Sequence, residues 1–199
     1  MSTRNDTMCA SRKPDRARVA HDGEMLPTHQ IAAAVLVRNV RGDLLMVASP
    51  YRRDLVLPGG IVEEDEPPAV AAAREVHEET GLLVSPTRLL VMEHLTRTST
   101  GGSGLRFVFD TAPVPVDVSL VKQEGEVAEL LWLPPDQAVE RHVPRGRNRL
   151  QAALAALSDS KTTYLDGHFD ARWRRSGQRD YPSVRGLSAC SGSSRELTR

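Results

Sequence analysis

Seven apolar residues run without a break from Ile31 to Val37. Ile31 to Arg38 reads as a buried strand. Arg41-Gly42-Asp43 reads as a turn into a second strand, Leu44 to Ala48. A short apolar piece, Leu55 to Leu57, runs into Pro58-Gly59-Gly60, which reads as a turn or loop. Pro67 to Thr80 has helical character and stops at Gly81, a usual C-terminal stop. Leu89 to Thr96 and Leu105 to Thr111 read as strands joined by the Gly-rich loop Thr100 to Gly104, and Val127 to Leu133 as a further strand. Pro134-Pro135-Asp136 opens a short helix, and Arg147 to Leu157 makes a longer one. Strands interspersed with a few helices predict a layered α/β or α+β domain.

The ends differ from this middle. Residues 1–27 mix Arg, Asp, Ser, Thr and Pro without apolar periodicity, and the expectation is a disordered arm. From about Ser158 the chain turns rich in Arg, Ser and Gly, so 159–199 reads as a mostly flexible tail, with Tyr164-Leu165 and Trp173 as short docking motifs. The domain expected between them spans 28–158. At 199 residues the chain suits one ordinary domain with tails. Its 26 basic and 26 acidic side chains cancel, which argues against a nucleic-acid coat protein. The balance is uneven: 31–157 carries 13 basic and 17 acidic residues, a net of −4. Cys9 and Cys190 cannot make a disulfide scaffold or a Cys-rich zinc site. No secretory pattern opens the chain and no apolar run is long enough to span a bilayer, so a soluble, cytoplasmic protein without membrane partners is expected.

The candidate chemistry lies between Gly60 and Leu82. An acidic residue, Asp65 or Glu66, precedes Pro67-Pro68, as suits a helix start. On that helix Glu75, Glu78 and Glu79 are three and four residues apart and share one face. Like charges at that spacing repel, so a bare Glu-x-x-Glu-Glu is either a solvated acidic face or a set of hard oxygen ligands for Mg²⁺ or Mn²⁺. Arg74 can pair with a neighbouring carboxylate and fix its orientation, while Ala71, Ala72, Ala73 and Val76 supply a packing face. The extended pattern favours the ligands. Seven fixed residues and two aliphatic positions fall at set spacings, which chance meets on the order of once in 10⁸ starting points.

This stretch, Gly60-x5-Glu66-x7-Arg74-Glu75-Val76-x-Glu78-Glu79-x-Gly81-Leu82, resembles the Nudix box at every specified position. The resemblance implies an α/β/α sandwich with a mixed sheet and divalent-metal-dependent hydrolysis of a nucleoside diphosphate linked to another moiety, a nucleotide-type small molecule. It implies Mg²⁺ (or Mn²⁺) held by Glu75, Glu78, Glu79 and the Gly59 carbonyl, with Gly60, Glu66, Arg74 and Gly81 structural. The general base is left open among Glu75 and Glu79 inside the box and Glu126 (or Glu124) ahead of Trp132-Leu133-Pro134. Arg52 and Arg53 are candidate phosphate contacts. Thr98-Ser99-Thr100 stands where subfamilies marked by a Pro or Tyr carry it, so the substrate stays open. A homodimer is also left open, with no apolar seam visible.

Other residues weigh less. His77 reads as exposed, and Glu93 and His94 as substrate-facing or rim residues. The cluster Arg141, Arg145, Arg147 and Arg149 reads as a solvated helix start or as an aid to an anionic substrate. The competing function is a non-hydrolytic Nudix-fold ligand sensor or interaction module, against which the intact box stands. An isoprenoid-isomerase reading needs a cysteine inside the domain, and there is none.

Overall fold

The computed structural model describes residues 28–51, 53–96 and 103–167. The long apolar run becomes β1 (Gln30–Leu36) and the second becomes β2 (Leu44–Ala48), followed by β3 (Leu55–Val56), β4 (Gly59–Ile61), α1 (Pro68–Thr80), β5 (Arg88–Leu95) and β6 (Gly104–Asp110). After these come β7 (Glu129–Leu133), α2 (Pro135–Arg141), a 3-10 turn at Pro144–Gly146, α3 (Arg147–Asp159) and β8 (Thr163–Gly167).

β1 lies between β4 and β6 in a five-stranded mixed sheet ordered β4-β1-β6-β5-β8, and β2 is central in a three-stranded antiparallel sheet ordered β3-β2-β7. Period-two alternation gives β1 two apolar faces. Ala33 and Val35 join Val37, Ala72 and Val76 on the α1 side, whereas Ala34 and Leu36 join Leu90, Val108, Leu150 and Ala153 on the α3 side. A buried strand covered by helices on both faces is the reason the run carries no polar interruption. The result is an α/β/α sandwich.

On α1 the stripe Ala72, Val76 and Thr80 is fully buried and recurs every four residues. Gly81, at φ 73°, ends the helix by donating its N–H to the His77 carbonyl at 2.8 Å. The helix start differs from expectation. The N-cap is Pro67 and has no side-chain cap, because Glu66 turns back to accept the Glu63 N–H at 3.2 Å.

Three further expectations are corrected. Pro58-Gly59-Gly60 is no simple loop: Gly59–Ile61 is β4, antiparallel to β1 with Gly60 opposite Ala33. Glycines leave no side-chain alternation to read, and only backbone pairing makes them a strand. The strand expected from Val127 starts at Glu129, since Val127 still closes the Glu124–Glu126 turn by donating to the Gln123 carbonyl at 3.1 Å. Residues 163–167, expected in the tail, form β8, parallel to β5 with Tyr164 opposite Met92. Its sequence is too short and too polar to signal a strand alone, and the open edge of β5 supplies the partner. The arm at 1–27, Thr98-Ser99-Thr100, Trp173 and both cysteines lie outside the described residues.

β8 yields a prediction. Ending the chain after Lys161 exposes the β5 edge and should lower Tm by roughly 5 °C or more, whereas ending it after Gly167 should cost much less. Differential scanning fluorimetry of the two truncations checks this.

Candidate active site

Arg74 is the hub of the box. Its Nε donates to Glu66 Oε1 and its Nη2 to Glu66 Oε2, both at 3.0 Å, a fork-to-fork pair. Nη1 donates to Glu75 Oε1 and Glu78 Oε2 at 3.1 Å each, and Nη2 also reaches the Ile61 carbonyl at 3.1 Å. One guanidinium therefore ties the loop before the helix, strand β4 and two helix carboxylates into a single unit. The pair holds the Glu66 carboxyl below the usual carboxylate range.

Two glycines let the helix close on the strand. A Cβ built at Gly60 would fall on the Glu75 carboxylate, so the strand there needs a residue without one. Gly59 sits at φ 148° against Ala33 and Ala34, and its N–H donates to Glu79 Oε2 at 2.9 Å.

The electrostatics of this unit are strained. Burial pushes the Glu79 carboxyl up to about 7 against the Gly59 hydrogen bond, and the charges of Glu75, Glu126 and Glu78 push it the same way. Burial also raises Glu75, against its Arg74 hydrogen bond, with Glu78 and Glu126 adding to the rise. Arg74 thus compensates Glu66, Glu75 and Glu78, while Glu79 is held by the Gly59 N–H and feels the charges of Glu75, Glu126 and Glu78. Among the described residues, no three His, Cys, Asp or Glu side chains converge closely enough to enclose a metal ion as they stand. The donor chemistry nonetheless fits a hard divalent cation. Glu75, Glu78 and Glu79 offer carboxylate oxygens at a half-buried site with excess negative charge, and Glu78, 45% exposed, can turn from Arg74.

Beside β4 lies a cleft of about 400 Å³. Its floor comes from Ala32, Ala33 and Ala34, small residues where a buried strand usually carries bulkier ones, together with Val56 and Leu57. Gly59, Gly60 and Ile61 form its border with the box, and Arg106, Phe107, His142 and Arg149 also line it. Arg149 of α3 is ion-paired with Glu93 of β5, which is 3% exposed.

The structure brings Gly59, Gly60, Glu66, Arg74, Glu75, Glu78 and Glu79 together, and Glu126 acts on two of the carboxylates from its turn. It does not bring Arg53 to the cleft lining, and Arg52 lies outside the described residues. His77 is exposed, as expected. The His94 ring lies beside that of His29, tilted by 44° with ring centroids 5.6 Å apart. Sequence reasoning missed Arg106 and His142. The one signal for Arg106 is a charge set in the apolar run Leu105 to Phe109.

His142 is 3% exposed and is held below its ordinary pKa mainly by burial, with Arg149 and Arg147 acting the same way against Asp54 and the Val143 carbonyl. A base depressed in the folded state keeps full stability above its unfolded pKa of about 6.5 and loses it as pH falls below that. The contribution of His142 to the unfolding free energy should therefore decline below about pH 6.5, read as a difference between wild type and His142→Asn that changes against the wild type from pH 7.5 to 6 to 5 in urea titrations.

Comparison with known proteins agrees with the geometry. The NUDIX domain profile matches residues 28–154. A MutT-like protein of Streptomyces ambofaciens is 33% identical over 129 residues, covering 64% of this chain and 79% of that protein. A "Probable DHNTP pyrophosphohydrolase" of Lactococcus lactis subsp. cremoris is 32% identical over 108 residues, covering 54% of this chain and 64% of that one. The crystal structure of a MutT protein from Methanosarcina mazei Go1 superposes with a TM-score of 0.55 at 25% identity, covering 67% of this chain and 99% of that one. With the profile match, the shared sandwich and the assembled box in agreement, this chain belongs to the NUDIX family and is a hydrolase of that family.

Proposed function

We propose that the protein hydrolyses the pyrophosphate linkage of a nucleoside diphosphate joined to another moiety, with Mg²⁺ or Mn²⁺ as cofactor. The observation that carries this is the placing of Glu75, Glu78 and Glu79 on one helix face beside β4, where the Glu75 and Glu79 carboxyls are raised by burial and by the neighbouring carboxylates, Glu126 among them, so that a divalent cation would relieve the repulsion Arg74 leaves. The similarity to a pyrophosphohydrolase supports the bond class.

In this reading Glu75, Glu78, Glu79 and the Gly59 carbonyl hold the cation. A divalent cation there neutralises the pyrophosphate oxygens and the charge that develops on the leaving phosphate. Arg74 keeps Glu75 in place and Glu66 keeps Arg74 in place, so the carboxylates meet the substrate already oriented. A carboxylate among Glu75, Glu79 and Glu126 takes the proton of the attacking water. Without a cation the Glu79 carboxyl is pushed up to about 7, and the cation it would share with Glu75 and Glu78 would draw it down and keep it ionised for the task. Arg52 and Arg53 stay in the proposal as phosphate contacts from the loop before β3, and a cytoplasmic setting is part of it.

The test is hydrolysis of nucleoside triphosphates, oxidised nucleotides, ADP-ribose, nucleotide sugars and dinucleoside polyphosphates, with Mg²⁺ or Mn²⁺ and with EDTA. Metal-dependent cleavage of one class supports the proposal. Silence across the panel from folded protein, with tight ligand binding, would favour a non-hydrolytic sensor.

A further inference from the structure

The cleft beside β4 carries charge of the opposite sign to the box. Arg106 stands on β6 opposite Ala32 of β1 and Glu93 of β5, and Arg149 reaches the same region from α3. Glu93 pairs with Arg149, which compensates one guanidinium and leaves the other. A tie between helix and sheet would need only Glu93 and Arg149. A second guanidinium next to that pair adds repulsion, and burial together with the Arg149 charge lowers the Arg106 pKa accordingly.

Both arginines sit where the backbone has been cleared for them. A Cβ built at Gly104 would meet the Gln30 carbonyl at 2.5 Å and then Arg106 Nη1 at 2.9 Å, and one at Gly146 would meet the His142 ring first and then Arg149 Nη2 at 3.2 Å, so each glycine lets backbone or ring and guanidinium pack together. Arg106 is anchored by Nη1 to the carbonyls of Gln30 and Leu105 and by Nη2 to Gln30 Oε1, each at 3.0 Å. Among the described residues, these bonds leave the Nε–H and one Nη2 hydrogen of Arg106, while Arg149 commits one donor to Glu93. The free donors belong to two held guanidiniums that line one cleft, next to Gly59 to Ile61 of the box.

We infer that this cleft is an oxyanion subsite, in which Arg106 and Arg149 bind a phosphate or carboxylate carried by the moiety beyond the pyrophosphate. The inference rests on the pyrophosphate reading for where the rest of the substrate lies. Planar guanidinium forks match either oxyanion, and a volume of about 400 Å³ holds a sugar phosphate or sugar acid. A neutral moiety would leave two guanidiniums sharing the one Glu93 carboxylate, with their remaining donors unmatched by an anion. The substrate class is therefore a nucleoside diphosphate joined to an anionic group, and plain nucleotide sugars are poorer substrates.

Binding and turnover test this separately. In EDTA, the protein is titrated with ribose 5-phosphate, glucuronate and ribose, followed by NMR of the arginine Nε–H signals. Ribose 5-phosphate or glucuronate should bind about tenfold or more tighter than ribose, and the stronger of the two identifies phosphate or carboxylate. Arg106→Gln should remove most of that preference. Arg106→Lys, which keeps the charge but loses the planar fork, should weaken it. Equal binding of all three, or a preference that survives Arg106→Gln, overturns the subsite. With Mg²⁺, kcat/KM for a nucleoside diphosphate linked to a phosphorylated or acidic sugar should exceed that for the neutral sugar, and the ratio should collapse in Arg106→Gln. Arg106-dependent binding without any turnover overturns the pyrophosphate reading and upholds the subsite. Turnover without preference does the reverse.

Discussion

Glu79→Gln should lower turnover by about 10²-fold or more while leaving the fold intact and, without metal, making it more stable at alkaline pH. The loss follows from removing a carboxylate where the proposed chemistry needs both charge and a proton acceptor, at nearly unchanged side-chain volume. The gain follows from linkage. The folded-state pKa of about 7 lies above the ordinary carboxylate value of 4.5, so the folded protein holds this proton more tightly than the unfolded chain does. Stability contributed by the protonated group is full below about 4.5 and is lost as pH rises through 7. At pH 8 the wild type bears the whole cost of the buried charge and the glutamine variant bears none. Thermal melts in EDTA at pH 5 and pH 8 should show wild type losing stability between them and Glu79→Gln losing less. Adding Mg²⁺ at pH 8 should raise the wild-type Tm most. A variant with near-normal turnover would remove Glu79 from both proposed roles.

Arg74→Gln should cost about 1–3 kcal/mol of stability and most of the activity. The change deletes contacts to Glu66, Glu75, Glu78 and the Ile61 carbonyl at once, and it leaves those three carboxylates without the guanidinium that pairs with them. Because Arg74 and Glu78 are partly exposed, water screens part of the loss and the lower half of that range suits their pair alone. Arg74→Lys should recover less than half of it, since an ammonium cannot reproduce the fork that meets both Glu66 oxygens. Urea titrations in EDTA read the stability, and their repetition in Mg²⁺ should show partial rescue as the cation replaces the lost positive charge. An unchanged midpoint for Arg74→Gln would refute the hub.

Much of this protein follows from local rules acting on neighbouring residues. The seven-residue apolar run reads as a buried strand, and β1 is one. Gly81 stops α1 because a left-handed residue can close that helix end. The spacing of Glu75, Glu78 and Glu79 puts them on one helix face whatever surrounds the helix. Those local rules give a layered α/β or α+β domain and the shared carboxylate face, and the fixed spacing of residues 60–82 carries the resemblance to the family.

Other features need partners from far along the chain. Gly59 and Gly60 carry no side-chain signal, and β1 makes them a strand while Glu75 makes Gly60 necessary. β8 exists because β5 offers an open edge. Arg106, Gln30, Glu93 and Arg149 are separated by up to 119 positions, and no spacing rule joins them before the sheet and α3 pack. Sequence alone determined what depends on repeats of two and 3.6 residues: the strands, the helices and the carboxylate face. Tertiary structure decided the charge of the cleft and the raised Glu79 pKa, because burial and through-space repulsion depend on distance between atoms rather than on position in the chain.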